Sequence, residues 1–191
     1  EAMNDKEILS QVYLEEYAQE LAVKGNLKII LKGKEISLAD FYYGTVLNTK
    51  TLRHAEVPAG QNIRKIITVE NKANYVSMPY EEETLIIFSH GFFSPLEYEF
   101  LRKLLAVLPD VEFYHTGDLD YGHIREHVCP RVRPLSMDAD QYDYYIQRGY
   151  EIKPETLKKL EDMRGTEPLM EELIEHMIKG KMGIEQECFL I

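Results

Sequence analysis

VEFYHTGDLDYG, residues 111–122, decides the fold of this chain. Its first six residues alternate between two sets of side chains, which predicts a strand with two different faces. The two sets are Val111, Phe113 and His115 on one face and Glu112, Tyr114 and Thr116 on the other. Gly117 marks the expected end of that strand, and Asp118 and Asp120 follow it. Because ligands bind at the carboxyl ends of strands in α/β sheets, the pattern predicts two carboxylates in a ligand crevice.

Two interpretations of Asp118 and Asp120 remain open at this point. Carboxylates two residues apart repel each other unless a cation lies between them, and Mg²⁺ and Mn²⁺ prefer oxygen ligands of this kind. Alternatively, one of the two aspartates caps a helix that begins near Tyr121, since Asp is a common N-cap residue. The neighbouring elements favour the metal site.

Three further apolar runs predict strands with helices between them. KIITVENK, residues 65–72, ends in Glu70, so a second strand delivers a carboxylate, and the helix-compatible stretch ANYVSM follows it. TLIIFSHG, residues 84–91, precedes an amphipathic helix, and RVRPL, residues 131–135, is the last of the four runs. This alternation of strands and helices predicts parallel βαβ units with right-handed crossovers.

A Glu at the end of the first of these strands and an Asp-x-Asp motif after the third resemble the Toprim domain of topoisomerases, primases and related nucleases. The segments ITVENKANY, IIFSHGFFSPLEYEFLRKL, FYHTGDLDYGHI and a terminal IEQE further resemble the C-terminal domain of the Wadjet JetD family. That resemblance covers residues 62–145 and, more weakly, 184–187. The family consists of anti-plasmid defence nucleases related to the A subunit of type IIB topoisomerases. The resemblance implies an α/β fold with a Toprim-like, four-stranded, mainly parallel sheet flanked by helices.

The resemblance also implies a set of site residues. Glu70, Asp118 and Asp120 correspond to the catalytic, metal-binding acids, which would hold Mg²⁺ or Mn²⁺ as the cofactor. Glu70 has an alternative role as general base or general acid. Glu187 in IEQE would be an additional metal-binding acid, with Glu185 less favoured. For these last two residues the alternative is a solvated charge at a helix end.

The implied function is that of a metal-dependent DNA endonuclease domain. It would cleave phosphodiester bonds of double-stranded DNA and act with an SMC-like ATPase complex in anti-plasmid defence. The alternative is a non-catalytic Toprim-fold module for DNA binding or assembly. The complete set of three acids favours cleavage, because a degenerate domain has no reason to keep a repulsive acid cluster. Strand passage is least favoured, since it needs a catalytic tyrosine domain that the sequence does not show.

The net charge of -11 argues against a DNA-binding protein, because duplex affinity comes largely from cations that contact phosphates. Residues 24–72 differ from the rest of the chain, with nine Lys or Arg against four Asp or Glu. This basic region includes the first predicted strand of the site. The side chains expected to contact DNA are Lys32, Lys34, Lys72, His90 and His115. A solvated basic hairpin and structural histidines are the alternatives.

The chain divides into two expected parts. Residues 1–61 are predicted to form an N-terminal segment with a helix over residues 5–23 and a basic hairpin, in which LKIIL and EISL are joined through a KGK turn. Within this part, residues 48–60 are expected to form a loop or short strands. Residues 62–191 are expected to form the Toprim-like domain with C-terminal helices, which pack on the sheet or form a homodimer contact.

Helix starts are marked by capping residues. Ser94 and Pro95 form the expected start of the amphipathic helix, and Asp138 or Asp140 is the expected cap of a later one. Pro154 is expected to begin a further helix, and the stretch EPLMEELIEHMIKGK is expected to form another one.

The sequence also gives expectations about location. No apolar run approaches the roughly 20 residues that span a bilayer, and no signal-peptide pattern precedes the first predicted element. Cys129 and Cys188 are too few and too far apart to predict a disulfide framework or a zinc site. We therefore expect a protein of the reducing cytoplasm without a membrane partner.

Overall fold

The computed structural model describes residues 20–90, 93–117, 124–126, 128–136, 138–166 and 168–184. The strands are β1 (Glu20–Gly25), β2 (Lys28–Leu31), β3 (Lys34–Ser37), β4 (Thr45–Asn48), β5 (Lys65–Val69), β6 (Thr84–Phe88), β7 (Glu112–Thr116), β8 (Arg133–Pro134), β9 (Tyr150–Glu151) and β10 (Met182–Gly183). The helices are α1 (Thr49–His54), α2 (Lys72–Ser77), α3 (Pro95–Val107), α4 (Ala139–Tyr145), α5 (Pro154–Met163) and α6 (Glu171–Gly180), with 3₁₀ turns at Leu38–Asp40 and Ile146–Arg148.

The central sheet has six strands in the order β4-β1-β6-β5-β7-β8. Its four strands from β5 to β8 are parallel, and Thr68 of β5 is in register with both Ile87 of β6 and His115 of β7. β1 pairs antiparallel with β6, and β4 pairs antiparallel with β1. The predicted α/β class with a mainly parallel sheet is confirmed, although two antiparallel strands extend the four that were expected. The central sheet therefore contains strands from both expected parts of the chain, residues 1–61 and residues 62–191.

The predicted helix over residues 5–23 is wrong for residues 20–23, which belong to β1; residues 5–19 lie outside the described residues. Leu21 and Val23 are two residues apart, which is the strand period, and both are buried. β1 is hydrogen-bonded to a strand on each side. Because short apolar runs fit either a helix or a strand, this pairing decides the outcome.

The segment before β5 contains one predicted element and one that was missed. The hairpin of β2 and β3 is confirmed, and its turn has positive φ at Lys32 (51°) and Gly33 (75°), as a type I′ turn requires. Residues 48–60 were expected to form a loop or short strands, but they contain α1. Asn48 caps this helix, since its side chain accepts a hydrogen bond from the Thr51 backbone N–H at 3.0 Å.

Both faces of the sheet are covered. On one face, Ile66 and Phe113 pack in the main core together with Phe100 of α3. On the other face, Val69 packs with Tyr75 of α2. We call the first of these the α3 face. Because successive residues of a strand point to opposite faces, the residues two positions after Ile66 and Phe113 also point toward the α3 face.

The predicted helix starts are confirmed. At the start of α3, the Ser94 side chain accepts a hydrogen bond from the Glu97 N–H at 3.3 Å, and the Glu97 carboxylate accepts one from the Ser94 N–H at 2.6 Å. This reciprocal pair is a capping box. Asp138, rather than Asp140, caps α4, and α5 begins at Pro154.

The C-terminal helices contribute to the same core. Leu160 of α5 and Ile174 of α6 are fully buried in the main cluster, and β9 and β10 form a short antiparallel pair beside them. Both helices thus contribute to the main hydrophobic core, and α6 also packs against α4 and α5, while the expected homodimer contact stays a prediction. Within the described ranges, no helix is long and apolar enough to cross a membrane.

Candidate metal centre

Three parallel strands end side by side at one edge of the sheet. Glu70 follows β5, and its backbone N–H donates to the Thr116 carbonyl of β7 at 3.0 Å. Ser89 follows β6, and its N–H donates to the Val69 carbonyl of β5 at 2.8 Å. These hydrogen bonds continue the strand pairing by one residue beyond the ends of β5 and β6. We call the residues at this edge of the sheet the carboxyl-edge cluster, which consists of Thr68, Glu70, Ser89, His115 and Gly117.

Gly117 lies against the side chains of His115 and Glu70. A Cβ atom built on Gly117 would overlap Nε2 of His115 and would lie 2.7 Å from Oε2 of Glu70. Non-bonded heavy atoms need separations of about 3.5 Å, so no other residue fits here without displacing its neighbours. Because Gly117 has no side chain, the imidazole of His115 and the carboxylate of Glu70 can both pack closely against its backbone.

His115 is buried and hydrogen-bonded to Thr68. The residue is 1% exposed, and its Nδ1 lies 2.9 Å from Oγ1 of Thr68. The Thr68 hydroxyl donates its single proton to the Tyr114 carbonyl at 3.2 Å. With that proton directed to Tyr114, the Thr68 oxygen accepts from His115 and we assign the imidazole proton to Nδ1. Nε2 keeps its lone pair, and within the described part of the chain it has no hydrogen-bond partner.

Burial also keeps this imidazole neutral. Desolvation lowers the pKa of His115 from 6.5 to about 4, against the opposing effect of a hydrogen bond with the Thr68 backbone. The neutral form therefore predominates at neutral pH, in agreement with the single proton assigned to Nδ1.

We expect the metal-free protein to lose stability as the pH falls from 6.5 to 4, in part through His115. Between these values the unfolded chain binds a proton at His115 that the folded chain does not, so stability rises with pH. The loss approaches about 3 kcal/mol at the acidic end, because one pKa unit corresponds to about 1.4 kcal/mol. Urea unfolding with EDTA at several pH values, compared between the native chain and His115→Gln, isolates this contribution from that of the carboxylates. An identical pH dependence in both proteins would contradict the expectation.

His90 has a partner that links it to α3. Its Nε2 lies 3.0 Å from Oε1 of Glu97, a carboxylate with no exposed surface, while the other oxygen of Glu97 belongs to the capping box. His90 also adopts a positive φ of 39°, which is uncommon outside glycine. This contact joins the end of β6 to the start of α3. The expected DNA contact of His90 stays a prediction.

Several predicted site residues lie outside the described residues. These are Asp118, Asp120, Glu185 and Glu187. Glu70 is the member of the predicted acid set that the structure describes, and Asp118 follows Gly117 directly in the sequence. Over the ranges described, no group of three His, Cys, Asp or Glu could hold a metal ion. The three-acid metal set therefore stays a prediction.

The basic region is less exposed than its composition suggests. Lys24 is 5% exposed, and its Nζ donates to the carbonyl oxygens of Tyr75, Val76 and Met78 at 2.8–3.3 Å. These carbonyls lie at the end of α2, where a cation also interacts favourably with the helix dipole. Burial lowers the pKa of Lys24. This lysine stabilises a helix end and is not available to a nucleic acid.

Other cations of the region are engaged in ion pairs. The pairs are Lys28 with Glu35, Arg64 with Glu83 and Lys65 with Glu81. Lys72 is exposed at the start of α2, two residues after Glu70. Lys32 and Lys34 are exposed on a hairpin that follows Gly25, at the amino edge of the parallel strands. Lys72 is thus the predicted DNA contact that lies beside the carboxyl edge, whereas the hairpin starts from the opposite edge.

Sequence analysis did not assign a role to Thr68 or Ser89, and it assigned Gly117 only the end of a strand. Thr68 is fully buried and is the polar residue in the otherwise apolar stretch IITV, which was a usable signal. The hydroxyl of Ser89 is also buried, and among the described residues it has no hydrogen-bond partner. The role of Gly117 became apparent only from the atoms around it.

Comparison with known proteins identifies the family. A family model described as "Wadjet protein JetD, C-terminal" matches residues 26–190. The chain belongs to this family. The Wadjet protein JetD of Bacillus cereus (strain Q1) is 31% identical over 200 residues, and the alignment covers 98% of this chain and 48% of the relative. This JetD-family chain thus spans about half the length of that relative. The family resemblance found in the sequence is confirmed, and the matched range includes Glu70, Asp118, Asp120 and Glu187.

Proposed function

We propose that this JetD-family chain is the catalytic domain of a metal-dependent DNA endonuclease. In this proposal it cleaves double-stranded DNA in defence against plasmids and acts with an SMC-like ATPase complex. The observation that carries the proposal is the meeting of two strand ends. Glu70 ends β5, and its carboxylate faces Gly117, the residue that directly precedes Asp118.

The donor groups near this edge suit a divalent cation. Glu70 supplies carboxylate oxygens, and Asp118 and Asp120 would supply more, with Glu187 as an additional acid. Hard oxygen ligands of this kind are those that Mg²⁺ and Mn²⁺ take in proteins. Gly117 lets the Glu70 carboxylate lie close to the backbone that leads into the Asp-x-Asp motif, since a Cβ there would lie 2.7 Å from Oε2 of Glu70. A bound cation would polarise the phosphodiester and stabilise its charged oxygens.

The distribution of charge suggests that this chain supplies only part of the affinity for DNA. The chain carries a net charge of -11, and several cations of its basic region are buried or paired with acids. Strong duplex binding needs many unpaired cations next to phosphates. In this proposal, most of the affinity for DNA comes from the remainder of the full-length protein and from its partner subunits. Lys72 contacts the DNA locally beside Glu70.

Calorimetric titration of Mn²⁺ and Mg²⁺ tests the proposal. We expect saturable binding to the native chain and affinities at least about tenfold weaker in Glu70→Gln, Asp118→Asn and Asp120→Asn. Asp110→Asn is the matched control, because Asp110 is an exposed acid in the turn before β7, at the other end of the same strand. The full-length protein with its partner subunits should then cleave plasmid DNA, and the three site variants should not.

Two results would overturn this proposal. One is the absence of metal binding to the native chain, and the other is an affinity that the three site variants leave unchanged. Either would favour the alternative of a non-cleaving module for DNA binding or assembly.

A further inference from the structure

We propose that an exposed aromatic surface beside α2 is a docking site for a basic segment of a protein partner, whose arginine or lysine side chains pack on tyrosine rings. This surface, which we call the aromatic patch, consists of Phe41, Tyr42, Tyr43 and Tyr80. The inference goes beyond the proposed function, since none of these residues belongs to the proposed metal centre.

The first argument is the exposure of several large apolar side chains next to one another. Tyr43 is 89% exposed, and Phe41 and Tyr42 are 51% and 56% exposed. Val46 of β4 and Val76 of α2, on the elements that adjoin the two loops of the patch, are exposed as well. Single exposed apolar residues are common on protein surfaces, whereas a cluster of large ones marks a site of interaction.

The second argument is that the rings are held in place before any partner binds. Tyr42 stacks on Tyr80 with 4.9 Å between the ring centroids, and it meets Tyr43 edge to face at 5.3 Å. The loop that carries Tyr42 is packed against α2 at Gly44, where an added Cβ would lie 2.8 Å from the hydroxyl oxygen of Tyr75. Rings fixed in this way lose little conformational freedom on binding, so more of their contact free energy contributes to affinity.

The third argument is the charge around the patch. The two segments that form it, residues 38–48 and residues 73–83, contain no Lys or Arg. Their four charged residues are all acids, namely Asp40, Glu81, Glu82 and Glu83. A partner that carries cations therefore complements this surface.

Two of these acids are available to a partner. Glu81 and Glu83 form ion pairs with cations at the start of β5. Asp40 and Glu82 are exposed, and within the described ranges neither of them forms an ion pair. A purely apolar partner would cover these carboxylates without pairing them, which costs free energy. An arginine can pair with a carboxylate while its guanidinium stacks on a tyrosine ring.

The same charges disfavour other ligands of aromatic surfaces. Nucleic acids and anionic membranes carry negative charge, which the unpaired acids would repel. A second copy of the chain in a symmetric contact would bring the same acids against each other. The loop that carries Tyr80 leads to the start of β6, at the edge of the sheet opposite to Glu70. Docking can therefore be tested separately from the proposed cleavage.

Photo-crosslinking from the aromatic patch identifies what binds there. The crosslinking residue p-benzoylphenylalanine replaces Tyr43 in the full-length protein, which is assembled with its partner subunits, and mass spectrometry identifies the crosslinked peptides. We expect crosslinks to one segment of a partner protein that contains several Arg or Lys residues. The control has the same crosslinker in place of Tyr144, which is 77% exposed on α4, and it should not capture that segment.

A synthetic peptide of the crosslinked segment then measures the contribution of each side chain. We expect Tyr43→Ala to weaken binding of this peptide to the chain at least about tenfold, since exposed tyrosines at the centre of an interface carry much of its affinity. The double variant Asp40→Asn with Glu82→Gln should weaken binding about three- to tenfold. Tyr144→Ala should leave the affinity unchanged. All these side chains are exposed, so the variants are expected to fold.

Several results would overturn the docking site. These are the absence of crosslinks from the Tyr43 position, and crosslinks to DNA, to a second copy of the chain, to another part of the same chain or to a segment without basic residues. A peptide affinity that Tyr43→Ala leaves unchanged would contradict it as well. Each of these results would leave the proposed metal centre standing, and a failure of metal binding would leave the docking site standing.

Discussion

The Gly25→Ala variant is expected to lose at least about 4 kcal/mol of folding stability, a cost at the high end for a single substitution. Gly25 ends β1 with a φ of +136°, which side chains rarely adopt. An added Cβ would overlap the Thr84 carbonyl oxygen and would lie 3.0 Å from Cα of Leu85. Both contacts are with backbone of β6, which cannot rotate aside. The pairing that joins β1 and β4 to the parallel strands would have to shift.

Gly33→Ala is the matched control for this expectation. Gly33 also has a positive φ, of +75°, but no atom lies within 4 Å of its added Cβ. Its cost is therefore the conformational one alone, about 1–2 kcal/mol. Urea unfolding of both variants measures the difference. A Gly25→Ala variant no less stable than Gly33→Ala would contradict the close pairing of β1 with the start of β6.

The four parallel strands could be predicted because their signals are local. Each is a short apolar run, and glycine, proline or a helix start bounds it, as with Gly117 after β7 and Ser94 before α3. β1 and β4 lacked such signals. Leu21 and Val23 fit a helix equally well, and their strand state comes from pairing with residues that are distant in the sequence. Tertiary contacts decide such ambiguous segments.

The candidate site was predictable to the same extent. Glu70 stands directly after a strand, so its place at a sheet edge follows from local sequence, whereas the place of the Asp-x-Asp motif stays a prediction. The pair of Thr68 and His115 depends on the register of β5 against β7, which no local pattern specifies. Lys24 is a residue for which the composition alone suggested the wrong environment. It counts as a surface cation in the composition, yet it binds a helix end formed by residues about fifty positions later.

Gly117→Ala is expected to weaken Mn²⁺ binding by about 10–100-fold and to lower the stability of the folded chain. The backbone at Gly117 does not have a positive φ, so alanine is compatible with its conformation. The added Cβ would overlap Nε2 of His115 and lie 2.7 Å from Oε2 of Glu70. The buried imidazole is held by Thr68 and has little room to move, so the Glu70 carboxylate would have to shift from its place beside Gly117. Calorimetry with Mn²⁺ and a thermal unfolding curve measure the two effects separately.

The strength of this substitution as a test is that it removes no donor atom. Glu70→Gln alters the chemistry of a proposed ligand, whereas Gly117→Ala leaves the Glu70 carboxylate chemically intact and displaces it. Gly60→Ala controls for the introduction of alanine, since its φ is +76° and its added Cβ meets no atom within 4 Å. Gly60→Ala should lower stability slightly and leave the Mn²⁺ affinity unchanged. If Gly117→Ala bound Mn²⁺ as tightly as the native chain, the proposed role of Glu70 as a metal ligand would be contradicted, because the added methyl group must displace this carboxylate.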